Sequence, residues 1–302
     1  MKGTILIAGG LGFIGSHIVE KLRAMPDTEV LIYDIQAKRN NKVANVATMK
    51  GDVFDSDNLV KVLQQHDVSH VIHLVGLASI TDCKKSPDDS FKLNVSSIHF
   101  MLEAMRRSGV EKLVFPSTAV VYGVNGHLKV NEDSQPHPTT VYGFHKLAAE
   151  SLIKAYAEDY GFQSNILRVF NVYGDLEKEQ GVVSLFIKKT MEGKPIVIEG
   201  GEQLRDFVHV EDVATAFIKS LDRVPDCYQV MNVGSGVGLP IKEVAGLVAQ
   251  SFPEAKVSYG PPRESEYSIY ADISRIKSML GFDPVDPREG IPRFLKTCAN
   301  CH

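Results

Sequence analysis

Thr4-Ile5-Leu6-Ile7-Ala8-Gly9-Gly10-Leu11-Gly12-Phe13-Ile14-Gly15-Ser16-His17-Ile18-Val19-Glu20-Lys21-Leu22 stands near the start of this chain. Residues 4–8 are a strand-length, mostly apolar run of the kind buried on both faces of a sheet. A glycine turn follows, and Ser16 onward reads as a helix. Strand, glycine turn and helix is the setting that a dinucleotide-binding fingerprint requires. In that setting Gly9 makes the tight turn, Gly12 lets the backbone approach a pyrophosphate, and Gly15 lets helix and strand pack closely. The helix N-terminus then offers its N–H groups to phosphates. A turn without a ligand is the competing reading. It is disfavoured because three glycines lower stability unless something needs the space.

Working outward, Glu29-Val30-Leu31-Ile32-Tyr33-Asp34 reads as a second strand ending in an acid, 19 residues after Gly15. An acid there accepts from the ribose hydroxyls of adenosine and repels a 2′-phosphate, so NAD is favoured over NADP. Lys38 and Arg39 nearby argue weakly the other way. Residues 48–53 read as a third strand, with Asp52 placed to accept from an adenine amino group or to cap the helix 57–65. Residues 68–76 read as a fourth strand. Its end, Leu74-Val75-Gly76, is small enough for a cofactor to lie over it, and His73 reads as structural. A helix over 88–108 and a fifth strand over 111–115 follow, running into Ser117 and Thr118. Hydroxyls at the carboxyl end of a strand face the ligand crevice, so either can bond a substrate hydroxyl.

A proline-rich loop over 124–140 leads to a helix over 141–160. Its first turn carries Tyr142 and Lys146, which share a face one turn apart. A free phenol, with a pKa near ~10, is a poor base at neutral pH. A neighbouring ammonium and an oxidised nicotinamide both favour the phenolate. The pair therefore reads as a proton-transfer device beside a hydride carrier, although Tyr and Lys at this spacing more often mark a solvated helix face. A sixth strand at 164–169 completes an alternation of strands and helices that predicts a parallel sheet. The expected fold is thus α/β, a Rossmann-type doubly wound parallel sheet with a smaller C-terminal substrate-binding lobe. The expected division is residues 1–174 with a return segment 205–233 for the NAD-binding domain, and 175–204 with 234–302 for the lobe.

Composition is ordinary for a globular protein. The chain has 302 residues, 44% apolar and 23% charged, with a net charge of −4. No broad basic field exists for nucleic acid. No apolar run reaches the ~18 residues of a membrane span, and the apolar start is too short for a signal peptide. A cytoplasmic location is the expectation, with Cys83, Cys227, Cys298 and Cys301 as free thiols. Cys298-Ala299-Asn300-Cys301-His302 spells a haem-attachment pattern. With no export signal and no chain beyond it to build a pocket, it reads as a polar tail, and no metal is expected.

In order and spacing these residues resemble the extended short-chain dehydrogenase/reductase family, and within it the nucleotide-sugar epimerases of the UDP-glucose/UDP-galactose kind. The resemblance runs from about residue 4 to about 284. It includes the turn at 9–15, Asp34, Gly51-Asp52-Val53, Asn94-Val95, Ser117-Thr118, Tyr142 with Lys146, Arg168 with Asn171, Arg205-Asp206-Phe207-Val208-His209, Asn232-Val233-Gly234 and Ala271-Asp272. It implies Tyr142 as acid/base, Lys146 on the nicotinamide ribose, and Thr118 on the reacting sugar hydroxyl. Phe13 and Ile14 are implied as pyrophosphate contacts through backbone amides. Asp52, Val53, Leu74, Val75, Gly76, Asn94 and Phe170 are implied as further NAD contacts. Asn171, Arg205 and Arg263 are implied to hold the substrate's diphosphate, and arginine suits that role through bidentate contacts. A salt bridge of Arg205 with Asp206 or Glu211 is the structural alternative. The family also implies a homodimer through the helices 88–108 and 141–160.

Departures from the family pattern include Val75-Gly76, Phe144-His145 before the lysine, and Asp175 after Tyr173-Gly174. Sugar dehydratases of the family carry Asp-Glu after the threonine; Ala119-Val120 stands here and argues against elimination of water. The implied activity is C4 epimerisation of a nucleotide-diphosphate sugar through a transient 4-keto sugar. The rivals are a net sugar-nucleotide oxidoreductase and a non-catalytic NAD-binding regulator.

Overall fold

A computed structural model describes residues 3–36, 46–123, 128–176, 181–223, 227–262 and 267–299. In chain order the first elements are β1 (Thr4–Ala8), α1 (Phe13–Arg23), β2 (Glu29–Asp34), β3 (Ala47–Lys50), α2 (Ser56–Gln65), β4 (Val68–His73), α3 (Ile80–Lys85) and α4 (Pro87–Phe91). After a π-helical turn (Lys92–Ser96) come α5 (Ser97–Ser108), β5 (Lys112–Thr118), a 3-10 turn (Ala119–Tyr122), β6 (Lys129–Val130), α6 (Val141–Tyr160), β7 (Gln163–Val169) and β8 (Asn171–Tyr173). The rest are α7 (Val182–Met191), β9 (Ile196–Glu199), β10 (Leu204–His209), α8 (Val210–Asp222), β11 (Tyr228–Val233), β12 (Gly238–Pro240), α9 (Ile241–Ser251), β13 (Val257–Gly260), β14 (Tyr270–Ala271), α10 (Ser274–Leu280) and α11 (Pro287–Ala299).

Two compact units result. The first comprises Met1–Asn125, Gln135–Arg168 and Ala214–Met231. It is built on a seven-stranded sheet in the order β11-β7-β5-β4-β1-β2-β3. β1 is parallel to both β2 and β4, and β2–β3 and β4–β5 are parallel too. The chain winds outward in both directions from β1 and β4, so the carboxyl ends of these two strands border the crevice where such sheets take their ligands. All five residues of β1 are buried. The core beside the sheet includes Leu6, Leu31, Val71, Met101, Leu102, Leu113, Ile153 and Phe162. Each such side chain, removed from water, contributes about 1.5–3 kcal/mol. The helix carrying the tyrosine–lysine pair is fixed at both ends. The Thr140 side chain accepts from the Gly143 N–H, and Gly161 closes the C-terminus in the left-handed conformation.

The second unit comprises Gly126–Ser134, Val169–Val213 and Asn232–His302. A three-stranded sheet runs β12-β10-β8, with β10 parallel to β8 and antiparallel to β12. Two parallel pairs, β13–β9 and β14–β6, complete it. Its core gathers Tyr173, Phe186, Ile187, Ile196, Leu239, Val244, Phe294 and Leu295.

Several elements differ from the sequence expectation. The third strand ends at Lys50, and the Asp52 side chain then accepts from the Phe54 N–H in a local turn. Helix α2 is capped by Asp55, not by Asp52. The helix expected over 88–108 is interrupted by the π turn around Asn94. The proline-rich loop contains β6, which pairs with β14 about 140 residues away. Residues 204–213 belong to the second unit, because β10 bonds to β8 and β12 there; the chain re-enters the first unit at Ala214.

Candidate active site

In the first unit a cavity of about 470 Å³ opens at the ends of β1, β2 and β4. Gly9, Gly12, Asp34, Asp52, Val53, Leu74, Val75 and Gly76 all line it, together with Phe54, Lys92 and Leu93. Gly9 has φ +80°, and a Cβ there would meet the Val75 backbone nitrogen at 3.0 Å. A Cβ on Gly15 would lie 2.8 Å from both Gly10 Cα and Gly9 O, so only glycine lets α1 come this close to the turn. Phe13 and Ile14 begin α1, where backbone N–H groups have no intrahelical acceptor. The Asp34 carboxylate accepts from Leu11 N–H at 3.2 Å and from Gln36 N–H at 2.9 Å. Each of its oxygens keeps lone pairs for ribose hydroxyls. A close-backbone glycine turn, a helix start and an acid on one cavity fit a dinucleotide with an unphosphorylated ribose. Lys38 and Arg39 lie outside the described residues.

Asn94 is buried and turned onto the chain itself. Its Oδ1 accepts from Leu77 N–H at 3.1 Å, and its Nδ2 donates to Leu77 O at 3.0 Å and to Ser90 Oγ at 3.3 Å. A Cβ on Gly76 would meet Asn94 Oδ1 at 2.8 Å, so the small residue makes room for the amide. Asn94 thereby pins the segment after β4, which borders the cavity.

Tyr142, Lys146 and Thr118 come together in the same unit, 8%, 4% and 7% exposed. Thr118 Oγ1 accepts from Val120 N–H at 3.2 Å. The Thr118 hydroxyl is near enough to the Tyr142 phenol to favour its ionised form. The Lys146 ammonium sits over the Phe115 ring, 4.2 Å from its centroid. Ser117 is committed elsewhere, donating to Glu150, so Thr118 is the hydroxyl left to face a substrate. The chain alone does not acidify the phenol as the spacing suggested. Burial pushes Tyr142 up to about 12, with the neighbouring Thr118 hydroxyl opposing. Burial also pulls Lys146 down to about 7, with Glu150 opposing. Desolvation dominates at both groups, because both lie out of water. His73 is fully buried, bonds Ser97 Oγ at 3.1 Å and is pulled down to about 3 by burial, which makes it a neutral structural residue.

In the second unit Asn171 and Arg205 share a cavity of about 290 Å³ with Val182, Gln203, Phe207 and Ile241. Asn171 Nδ2 donates to Asp206 O at 2.8 Å. Arg205 lies over the Tyr267 ring, 4.6 Å from its centroid, and donates to the carbonyls of Leu204 and Tyr267. Asp206 is buried and engaged away from Arg205. Its oxygens accept from Ser235 N–H and Oγ, Gly236 N–H and Ala271 N–H at 2.6–3.1 Å. Phe170 is buried, with its N–H donating to Val233 O. Arg263 lies outside the described residues, as do Cys301 and His302. The sequence reading missed Gln203, Phe54 and Lys92 as cavity residues and Glu150 beneath Lys146. Only Glu150 left a signal: an acid one turn beyond Lys146 on the face that α6 buries.

No helix among the described residues is long and apolar enough to cross a membrane. A Methanocaldococcus jannaschii protein with a provisional UDP-glucose 4-epimerase name is 35% identical over 98% of both chains. The structure of UDP-glucose 4-epimerase with UDP-glucose from Thermotoga maritima superposes with a TM-score of 0.89 at 29% identity, covering 99% of each chain. That of the Thermus thermophilus UDP-glucose 4-epimerase complex with NAD gives 0.85 at 33% identity, over 97% of this chain and 98% of the other. A family model matches residues 5–234, taking in the glycine turn, Asp34, Thr118, Tyr142, Lys146 and Arg205 together, and the chain belongs to the NAD dependent epimerase/dehydratase family.

Proposed function

We propose that this protein is an NAD-dependent 4-epimerase of a UDP-hexose, with UDP-glucose and UDP-galactose as the pair it interconverts. The observation that carries the reading is the burial of Tyr142, Lys146 and Thr118 together in the first unit, with Tyr142 and Lys146 one turn apart on α6. Tyr142 takes the proton of the C4 hydroxyl and later returns it. Thr118, anchored by Val120 N–H, directs its hydrogen at the oxygen being deprotonated. Lys146 supplies positive charge below the phenol and a donor for the nicotinamide ribose. When bound, NAD supplies the acceptor and then the donor of the C4 hydride, and a positive ring that draws the phenol toward phenolate. Gly9, Gly12, Gly15, Phe13 and Ile14 would hold its pyrophosphate, and Asp34 its adenosine ribose. Asn171 and Arg205, which share a cavity in the second unit, are the groups we assign to the diphosphate of the substrate. The relatives named for UDP-glucose 4-epimerisation support the choice of substrate.

General acid–base catalysis typically contributes ~10²–10⁴ in rate. Tyr142→Phe therefore lowers kcat for UDP-galactose conversion by about that factor, while the NAD content of the purified protein stays unchanged. Undiminished turnover overturns the assignment. Turnover of wild type without added NAD distinguishes epimerisation from net oxidation. The assembly we propose is a homodimer through α4, α5 and α6, where Phe91, Phe144 and Tyr160 are exposed; sedimentation of a monomer at micromolar concentration rejects it.

A further inference from the structure

Helix α6 carries three ionisable side chains on its buried face, Tyr142, Lys146 and Glu150, each one turn apart. The first two have places in the chemistry above. Glu150 has none, yet it is 3% exposed, a depth at which carboxylates are found only when paired. Both of its oxygens are engaged. Oε1 accepts from Arg168 Nε at 3.0 Å, and Oε2 from Arg168 Nη2 at 2.7 Å. The Ser117 hydroxyl also donates to Oε1. Arg168 in turn lies over the Tyr122 ring, 4.9 Å from its centroid. One carboxylate thus ties together α6, the end of β5 where Ser117 precedes Thr118, and β7.

Stability does not explain an ion pair this deep. Desolvating both charges offsets most of their attraction, and apolar replacements of such pairs are often neutral or stabilising. What the pair does provide is a carboxylate held one helical turn from Lys146, with the Arg168 guanidinium on its other side. Lys146 makes no salt bridge among the described residues. Around it stand Tyr142 on its own helix, Cys83 on α3, His73 on β4 and the Phe115 ring on β5. His73 is neutral. Burial opposes the charge on Lys146, and Glu150 is the largest influence that restores it.

We infer that Glu150 is a positioning residue for Lys146: its carboxylate, locked by Arg168 and Ser117, favours the charged form of the buried amine where the reaction uses an ammonium, and the same lock sets the strand end that carries Thr118. This rests on the assignment of Lys146 to the site and adds to it. The test titrates Lys146 directly, through the 13Cε shift of lysine-labelled protein, the resonance being identified by its absence in Lys146→Met. Wild type, E150Q and R168Q are compared with NAD bound and NAD-free, and the pH profile of kcat is recorded alongside. E150Q lowers the Lys146 midpoint by about one pH unit, and the high-pH loss of kcat moves down with it. R168Q, which leaves the carboxylate unpaired, moves both upward. A purely structural lock lowers melting temperature and turnover in both variants with the midpoint unmoved; that result, or shifts of the same sign in both, overturns the inference. If E150Q does not fold, R168Q decides alone, and no upward shift there overturns it. Failure to turn over any sugar nucleotide leaves the titration readable, so the two readings fail separately.

Discussion

Lys146→Met stabilises the NAD-free chain at neutral pH, by an amount that shrinks as pH rises. Burial holds Lys146 at about 7, against about 10.4 in an unfolded chain. Between those values the unfolded state binds a proton that the native state lacks, so wild-type stability rises with pH by about 1.4 kcal/mol per unit. At pH 7 the native amine is half charged, and its burial costs about 4 kcal/mol. Well below pH 7 the cost levels off near ~5 kcal/mol, and above pH ~10.4 it is gone. Methionine fills a similar volume with no charge. The variant is therefore the more stable by about 4 kcal/mol at pH 7, and its advantage falls by about 1.4 kcal/mol per pH unit to the packing difference alone. Urea unfolding of the two NAD-free proteins, followed by circular dichroism from pH 6.5 to 10, reads this gap. A gap that does not change with pH, or a wild type more stable at pH 7, refutes the reasoning that the fold holds this lysine against its own desolvation.

Gly15→Ala puts a methyl 2.8 Å from Gly10 Cα and Gly9 O, both backbone atoms that cannot swing aside. NAD content of the purified variant drops by at least about tenfold, read from absorbance after denaturation, and full occupancy contradicts the close-approach argument. Asp206→Ala leaves the N–H groups of Ser235, Gly236 and Ala271 without their carboxylate acceptor. At ~1–3 kcal/mol for each stranded donor, stability falls by at least about 3 kcal/mol, and an unchanged thermal midpoint rules out Asp206 as the fastener of these loops.

The first unit was legible in the sequence because its strands are buried on both faces. Ile5–Ala8, Leu31–Tyr33 and Val71–His73 are uninterrupted burial, and burial of that kind writes apolar runs that need no partner to be recognised. The second unit was not. β6 and β14 are two residues each, and they exist only because Lys129 and Val130 meet Tyr270 and Ala271 across the whole chain. No local period announces such a pairing. Placing Arg205–His209 with the sheet domain failed for the same reason: β10 is a strand by composition, and only its partners β8 and β12 decide which unit owns it.

The site divides along another line. Glycines and the acid at the end of β2 were readable because each answers a steric or hydrogen-bonding need at a fixed offset from the turn. The ionisation of Tyr142 and Lys146 was not readable, because it depends on how deeply both groups sit, and depth is a property of everything packed around α6. A helix-spacing rule sees an ammonium four residues from a phenol and predicts mutual help. The fold removes both from water, and the cost of burying charge dominates at each. Within the chain Glu150 eases that cost for Lys146 without cancelling it. In the function proposed above, a cationic ring beside the phenol favours its phenolate and so ties catalytic competence to an occupied site. The same charge opposes the Lys146 ammonium and leaves Glu150 as the main group that supports it.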